Sequence, residues 1–249
     1  MPHLEVKNVS YSYDGNETII EDINISLEKN ELVCLLGVSG CGKSTLFNVI
    51  SGLNKPNSGG VFLDGNNITG IPGKISYMLQ KDLLLPYRTI EDNVALPLII
   101  KGEKKKEARK KVQQFFAEFS LEGTQKKYPS ELSGGMRQRA ALLRTYMFSS
   151  SVALLDEPFS ALDALTKSEI HSWYLDVMER IKLSTLFITH DIDEAILLSD
   201  KIYLMSGKPG RITKKIVIDE KRPRNPDFTL TDKFLEYKRM IIRELKSES

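Results

Sequence analysis

The stretch Gly37-Val38-Ser39-Gly40-Cys41-Gly42-Lys43-Ser44-Thr45 has the residue types and spacing of a loop that wraps phosphate groups. Gly37, Gly40 and Gly42 tolerate positive φ, so the chain can curl with its N–H groups turned inward. Lys43 has the reach to meet β- and γ-phosphates, and the Ser44 hydroxyl can ligate Mg²⁺. A second stretch ends in Asp156-Glu157-Pro158. Asp156 could hold Mg²⁺, directly or through water, leaving Glu157 to orient and polarise an attacking water. Phosphoryl transfer asks mostly for positioning and charge stabilisation, so these two acids would suffice. A third stretch, Leu132-Ser133-Gly134-Gly135-Met136, offers a Ser-capped helix start with free N–H groups, a second anion site. Each has a plainer alternative when taken singly: a glycine-rich turn without ligand, a pair of solvated acids before a proline, an ordinary capped helix.

The flanking elements must hold these groups in place. Residues 31–36 read as a buried strand and 43–53 as the helix after the loop, so that the loop lies at a helix N-terminus. Residues 151–155 read as a strand buried on both faces. Its acids then stand beyond a C-terminal strand end, where ligands of open α/β sheets bind. A helix is expected from about Gly135 to Phe148. From about 82 to 150 the pattern is helical, with Val112, Phe115, Phe116 and Phe119 on the buried face of one helix. Lys104, Lys105, Lys106, Arg109, Lys110 and Lys111 cover its other face, read as a solvated surface, with contact to anionic lipid as the sharper alternative. Leu162, Leu165, Ile170, Trp173, Val177 and Ile181 mark a long amphipathic helix with Trp173 in the core. Arg222-Pro223-Arg224-Asn225-Pro226 leads into a terminal helix over 232–245.

Composition sets limits. The 249 residues suit one large α/β domain or two small ones, and the net charge of +2 gives no broad basic surface for nucleic acid. No apolar run approaches the roughly 20 residues needed to span a bilayer, and the N-terminus lacks a signal-peptide pattern. Cys34 and Cys41 are not a disulfide framework, and a reduced, cytosolic compartment is expected. Cys41, beside a helix N-terminus, is expected to have a lowered thiol pKa and to be open to alkylation.

Leu132–Met136, followed by Arg137-Gln138-Arg139, resembles the signature sequence of ATP-binding cassette (ABC) ATPases. The resemblance implies an α/β, P-loop NTPase fold: a RecA-like core with an N-terminal antiparallel β subdomain and an inserted helical subdomain. The chain is then one ABC ATPase domain, with the core over about 1–81 and 151–220, the helical subdomain over about 82–150 and a helical tail over about 221–249. It further implies that Gln80 senses Mg²⁺ and the attacking water, that His190 is the switch histidine contacting the γ-phosphate, and that Tyr13 stacks on adenine. By strand alternation Tyr11 would share the face of Tyr13. Ser160-Ala161-Leu162-Asp163 would be the loop crossing a dimer interface. In the family the signature helix of a second cassette, here Ser133, Gly134 and Gly135, closes on the ATP held by the first. The expected cofactors are ATP and Mg²⁺.

Four longer stretches, 80–94, 156–166, 190–195 and 208–212, are similar to the nitrate/sulfonate/taurine importer group, which also contains importers of thiamine precursors. Tyr87 stands where that group commonly has Trp. This resemblance implies an importer ATPase bound to transmembrane permease subunits at the cytoplasmic face of the membrane, and indirectly to a solute-binding protein. A non-transport ABC ATPase, an export ATPase and a hydrolysis-dead scaffold remain alternatives. Residues from just after Gln80 to about Leu96, with Leu83, Leu84, Leu85 and Tyr87, would form the groove for a permease helix; ordinary core between subdomains is the alternative.

Overall fold

The computed structural model describes residues 2–14, 17–148, 151–160, 164–224 and 226–247. The strands β1 (Leu4–Ser12) and β2 (Thr18–Leu27) form a hairpin ahead of β3 (Leu32–Gly37) and the helix α1 (Lys43–Ile50). Then follow β4 (Ser58–Leu63), β5 (Asn66–Asn67), β6 (Ser76–Met78), α2 (Ile90–Ile100), α3 (Lys105–Gln113), α4 (Phe115–Glu118) and α5 (Gly134–Tyr146). The chain closes with β7 (Val152–Asp156), α6 (Ala164–Ile181), β8 (Ser184–Thr189), α7 (Ile192–Leu198), β9 (Lys201–Ser206), β10 (Arg211–Val217) and α8 (Asp232–Ser247).

These strands make an antiparallel sheet in the order β2-β1-β4-β5 and a six-stranded sheet in the order β10-β9-β3-β8-β7-β6. In the larger sheet β9, β3, β8, β7 and β6 are parallel, and only β10 runs against its neighbour. Every residue of β3, β7, β8 and β9 is buried, as parallel strands covered on both faces require. Alternation splits them between two cores. Leu32, Cys34, Leu36, Ala153 and Leu155 face the helical side, while Val33, Leu35, Val152 and Leu154 join α1 and the antiparallel sheet.

The expected buried helical face is present, but not as one helix. Val112, Phe116 and Phe119 are buried and Phe115 packs against the same core, yet α3 ends at Gln113 and a separate turn, α4, begins at Phe115. Ser120 at φ +52 ends that turn. The charge run also differs from a simple solvated surface. Arg109 grips Asp92 through Nε at 2.7 Å and a second nitrogen at 2.8 Å, and Lys105 and Lys126 join it around the buried Glu91 and Asp92. Trp173 is partly buried and meets Phe119 edge-on at 5.7 Å, tying α6 to the helical insertion. The tail is not detached: Phe228, Phe234, Tyr237 and Ile241 belong to the main core. No helix among the described residues is long and apolar enough to cross a membrane.

Candidate functional site

Parallel strands bring their C-terminal ends to one edge of the sheet. The phosphate loop follows β3, His190 follows β8, Asp156 and Glu157 close β7, and Gln80 follows β6, on strands that are spatial neighbours in that order. A cleft of about 420 Å³ opens there, lined by Tyr13, Ile19, Ser39, Gly40, Gly42, Lys43, Ser44, Thr45, Gln80, Asp156, Glu157 and Ile188. Gly40 and Gly42 stand at φ +82 and +99, and α1 begins directly after Gly42. Gly37 has no room for a side chain, since a Cβ would lie 2.2 Å from the Met205 carbonyl oxygen. Val38 is exposed on the outer turn of the loop. Lys43 lies along the loop, donating to the carbonyls of Gly37 at 2.9 Å and Val38 at 2.8 Å.

Two acids with different partners lie opposite. The Ser44 hydroxyl donates to Asp156 Oδ2 at 3.0 Å. Burial pushes the Asp156 carboxyl up; the Ser44 hydrogen bond opposes this, and the neighbouring Glu157 charge adds to it. Glu157 sits between two polar groups: Gln80 Nε2 donates to its Oε2 at 2.9 Å, and His190 Nδ1 is 3.2 Å from its Oε1. The backbone there is held under strain, with Glu157 at φ +47. The Glu157 N–H donates to the Ile188 carbonyl at 3.0 Å, and the Ser160 hydroxyl donates to the Glu157 carbonyl at 3.1 Å. Oxygen donors side by side at Ser44 and Asp156 suit a hard cation such as Mg²⁺.

Tyr13 follows β1 with its ring edge-on to Tyr11 at 5.1 Å, as alternation implied, and its hydroxyl lies 3.3 Å from the Thr45 hydroxyl. The ring is 56% exposed at the mouth of the cleft. Ser133 caps α5 and accepts from the Met136 N–H at 3.3 Å. Ser133 and Gly134 are exposed while Gly135 is buried, and none of the three lines the cleft. The phosphate loop and the signature therefore lie on separate parts of one chain. Ala161, Leu162 and Asp163 of the expected interface loop lie outside the described residues.

Cys41 departs from expectation. It is 2% exposed, its Sγ faces the Met205 carbonyl at 3.5 Å, and burial pushes its thiol pKa up despite the nearby Lys43. A helix N-terminus lowers a thiol pKa only where the thiolate stays solvated, and here β9 covers it. The groove reading is corrected in part. Leu83 and Leu85 line a groove of about 340 Å³ with Tyr77, Leu96, Pro97, Ile100, Lys101, Arg144, Thr145 and Phe148. Leu84 is buried core, and the exposed Tyr87 lies outside the lining.

Several supporting residues escaped the sequence reading because their roles are tertiary. Gln138 on α5 donates to the Pro158 carbonyl, tying the signature helix to the Glu157 turn. Arg144, farther along α5, donates to the carbonyls of Asp82 and Leu83. Asn93, fully buried, accepts from the Leu85 N–H at 2.6 Å and donates to the carbonyls of Leu85, Arg88 and Thr89, each at 3.1 Å. Gly210, in the turn between β9 and β10, exchanges backbone hydrogen bonds with β2 on either side of Ile20.

Residues 20–160 match the family described as ABC transporter. The chain belongs to the ABC transporter family. Among relatives of the cassette, the formylaminopyrimidine import ATP-binding protein of Halalkalibacterium halodurans is 46% identical over 83% of this chain and 80% of its own length. An aliphatic sulfonates import ATP-binding protein of Bacillus cereus is 40% identical over 97% of this chain and 94% of its own. In structure the cassette is similar to an ATP-binding cassette solved as a dimer in a post-hydrolysis state with ADP and Pi, with a TM-score of 0.73 and 29% identity over 88% of this chain and 100% of that one. The P-loop NTPase fold implied by the signature is the fold of the cassette.

Proposed function

We propose that this cassette is the ATP-hydrolysing subunit of an importer, working in pairs beneath separate permease subunits at the cytoplasmic face of the membrane. The observation that carries the reading is Glu157 set between Gln80 and His190, across the cleft from the phosphate loop, in a chain 46% identical to a protein named for import. The phosphate loop from Gly37 to Thr45 would cradle ATP with its N–H groups, and Lys43 would exchange its loop carbonyls for the β- and γ-phosphates. Tyr13 would stack on adenine. Ser44, Asp156 and Gln80 would hold Mg²⁺, which when bound would neutralise charge on the transferring phosphoryl group. Glu157 would take a hydrogen bond from the attacking water, with Gln80 and His190 fixing its carboxylate; His190 would also face the γ-phosphate. Ser133, Gly134 and Gly135 would complete the site of the second copy, because they lie away from the cleft of their own chain.

The solute would be of the nitrate/sulfonate/taurine or the thiamine-precursor type, a reading supported by relatives named for import of formylaminopyrimidine and aliphatic sulfonates, and would reach the permease through a solute-binding protein. Proteoliposomes holding the cassette with the permease subunits that co-purify with it test this, with ATP inside and solute-binding protein outside. Uptake of an aliphatic sulfonate or a formylaminopyrimidine that disappears in Lys43→Ala is expected. ATP-dependent efflux, or hydrolysis stimulated by DNA or ribosomes and not by the permease, would contradict it.

A further inference from the structure

Tyr77 belongs to two places at once. On β6, alternation sends Met78 into the helical-side core and Tyr77 to the opposite side, against the core that contains α1. There its ring meets Phe47 edge-on, centroids 5.9 Å apart at 76°. Phe47 is fully buried in α1, the helix that opens with Lys43 and Ser44. The same tyrosine forms part of the groove wall with Leu83, Leu85, Ile100 and Arg144. Burial raises the Tyr77 hydroxyl pKa, and Asp156 raises it further, so the ring also lies in the field of the carboxylate that Ser44 contacts.

We propose that Tyr77 is a positioning residue that couples occupancy of the Leu83–Leu85 groove to the phosphate-loop helix by bearing on Phe47. The proposal rests on reading that groove as the seat of a permease helix. A side chain pressed into the groove displaces the Tyr77 ring. Phe47 has no solvent-facing side and sits in a close-packed core, so it cannot absorb the displacement locally. The shift passes to α1 and with it to Lys43 and Ser44. Gln80, three residues after Tyr77, contacts Glu157 instead. Coupling of binding sites is reciprocal, so ATP on the phosphate loop must also alter the groove in the isolated cassette.

That reciprocity gives the test. Ile100→Cys places a thiol on the groove rim, where Ile100 is 75% exposed, while Cys34 and Cys41 are buried, so an environment-sensitive fluorophore can be attached there selectively. Titration with Mg-ATP should change its emission, with occupancy read in parallel from displacement of a fluorescent ATP analogue. In this background Tyr77→Leu and Phe47→Leu should each cut the response at saturation about fivefold, and Tyr77→Phe, which keeps the ring, should restore it. Full response in either leucine variant, or no response in the labelled parent at saturation, would overturn the proposal. Loss of ATP binding in both leucine variants would overturn it too, since the ring would then be part of the nucleotide site's own core. The docking assignment is read separately by Leu85→Asp, which should abolish co-purification of the permease while ATP still binds. If the permease is retained, the docking reading fails whatever the reporter shows.

Discussion

Gly210 illustrates how tightly the residues behind the phosphate loop are set. A Cβ on Gly210 would stand 1.9 Å from the Cys41 carbonyl oxygen and 2.6 Å from the Met205 methyl. The first contact is with backbone and cannot be relieved by a rotamer change, so the loop itself must move. Gly210→Ala should therefore weaken ATP binding by about tenfold, or ~1.4 kcal/mol, in a calorimetric titration; unchanged affinity would show that the loop tolerates the displacement. Cys41 makes the opposite point. A thiol buried under β9 with its pKa raised should remain unmodified when the native protein is treated with iodoacetamide at neutral pH, as intact mass would show, and should react once the chain is unfolded. Rapid modification of the folded protein at Cys41 would contradict the packing described. Lys43 and Ser44 were legible from the spacing of the glycine-rich loop, and Asp156 and Glu157 from the apolar run they close, whereas Gln80 and His190 were named only through the family resemblance. The Cys41 environment was not legible, because Met205 and Gly210 are far away along the chain.

At the scale of elements, the helical insertion shares the main apolar core with the parallel sheet and is further held by polar ties that no local pattern reveals. The strands β3 and β7 were readable as continuous apolar runs. The break between α3 and α4 was not, since both sides carry the same buried face. Nor could spacing distinguish Leu84, which turns inward, from Leu83 and Leu85, which line the groove: three successive leucines carry no period. The lysine-rich run is the solvated face that its spacing implies, with Lys104, Lys105, Lys106, Lys110 and Lys111 exposed, but the ion pairs of Arg109 and Lys105 were not legible, because Glu91 and Asp92 lie on another helix. The Arg109 guanidinium beside Asp92 holds that carboxyl down at about 2, below its ordinary value of 3.8. A lowered folded-state pKa contributes stability above the unfolded value, and this is lost as pH falls from there towards about 2. Arg109→Ala should thus lower urea stability at pH 7 by about 1 kcal/mol, since Arg109 is partly exposed and Lys105 and Lys126 remain. It should also flatten the acid limb of stability below about pH 4. An unchanged acid limb in the variant would assign the acid sensitivity elsewhere.

For the whole molecule, the arrangement that matters is the separation of the two segments proposed to hold anions, since Ser133, Gly134 and Gly135 do not line the cleft of the phosphate loop. The cleft gathers the phosphate loop, Gln80, Asp156 and Glu157, with His190 against Glu157, while Ser133 and Gly134 are exposed on the start of α5. Within the chain the two are linked indirectly, among others by Gln138 on the Pro158 carbonyl, by Arg137 against Asp82 and by Arg144 on the backbone after Gln80. A second copy, turned to face the first, would supply each cleft with the missing signature, and the nucleotides would then hold the pair together. A lone cassette should bind ATP and hydrolyse it slowly.

Glu157→Gln tests that claim most directly. The substitution keeps the side-chain volume and leaves Asp156 and Ser44 in place, but removes the carboxylate that would polarise water. With Mg-ATP the variant should run as a dimer in size-exclusion chromatography with light scattering, at twice the monomer mass, and should return to monomer with ADP. A variant that stays monomeric at saturating Mg-ATP, or that hydrolyses ATP at the unsubstituted rate, would contradict the account.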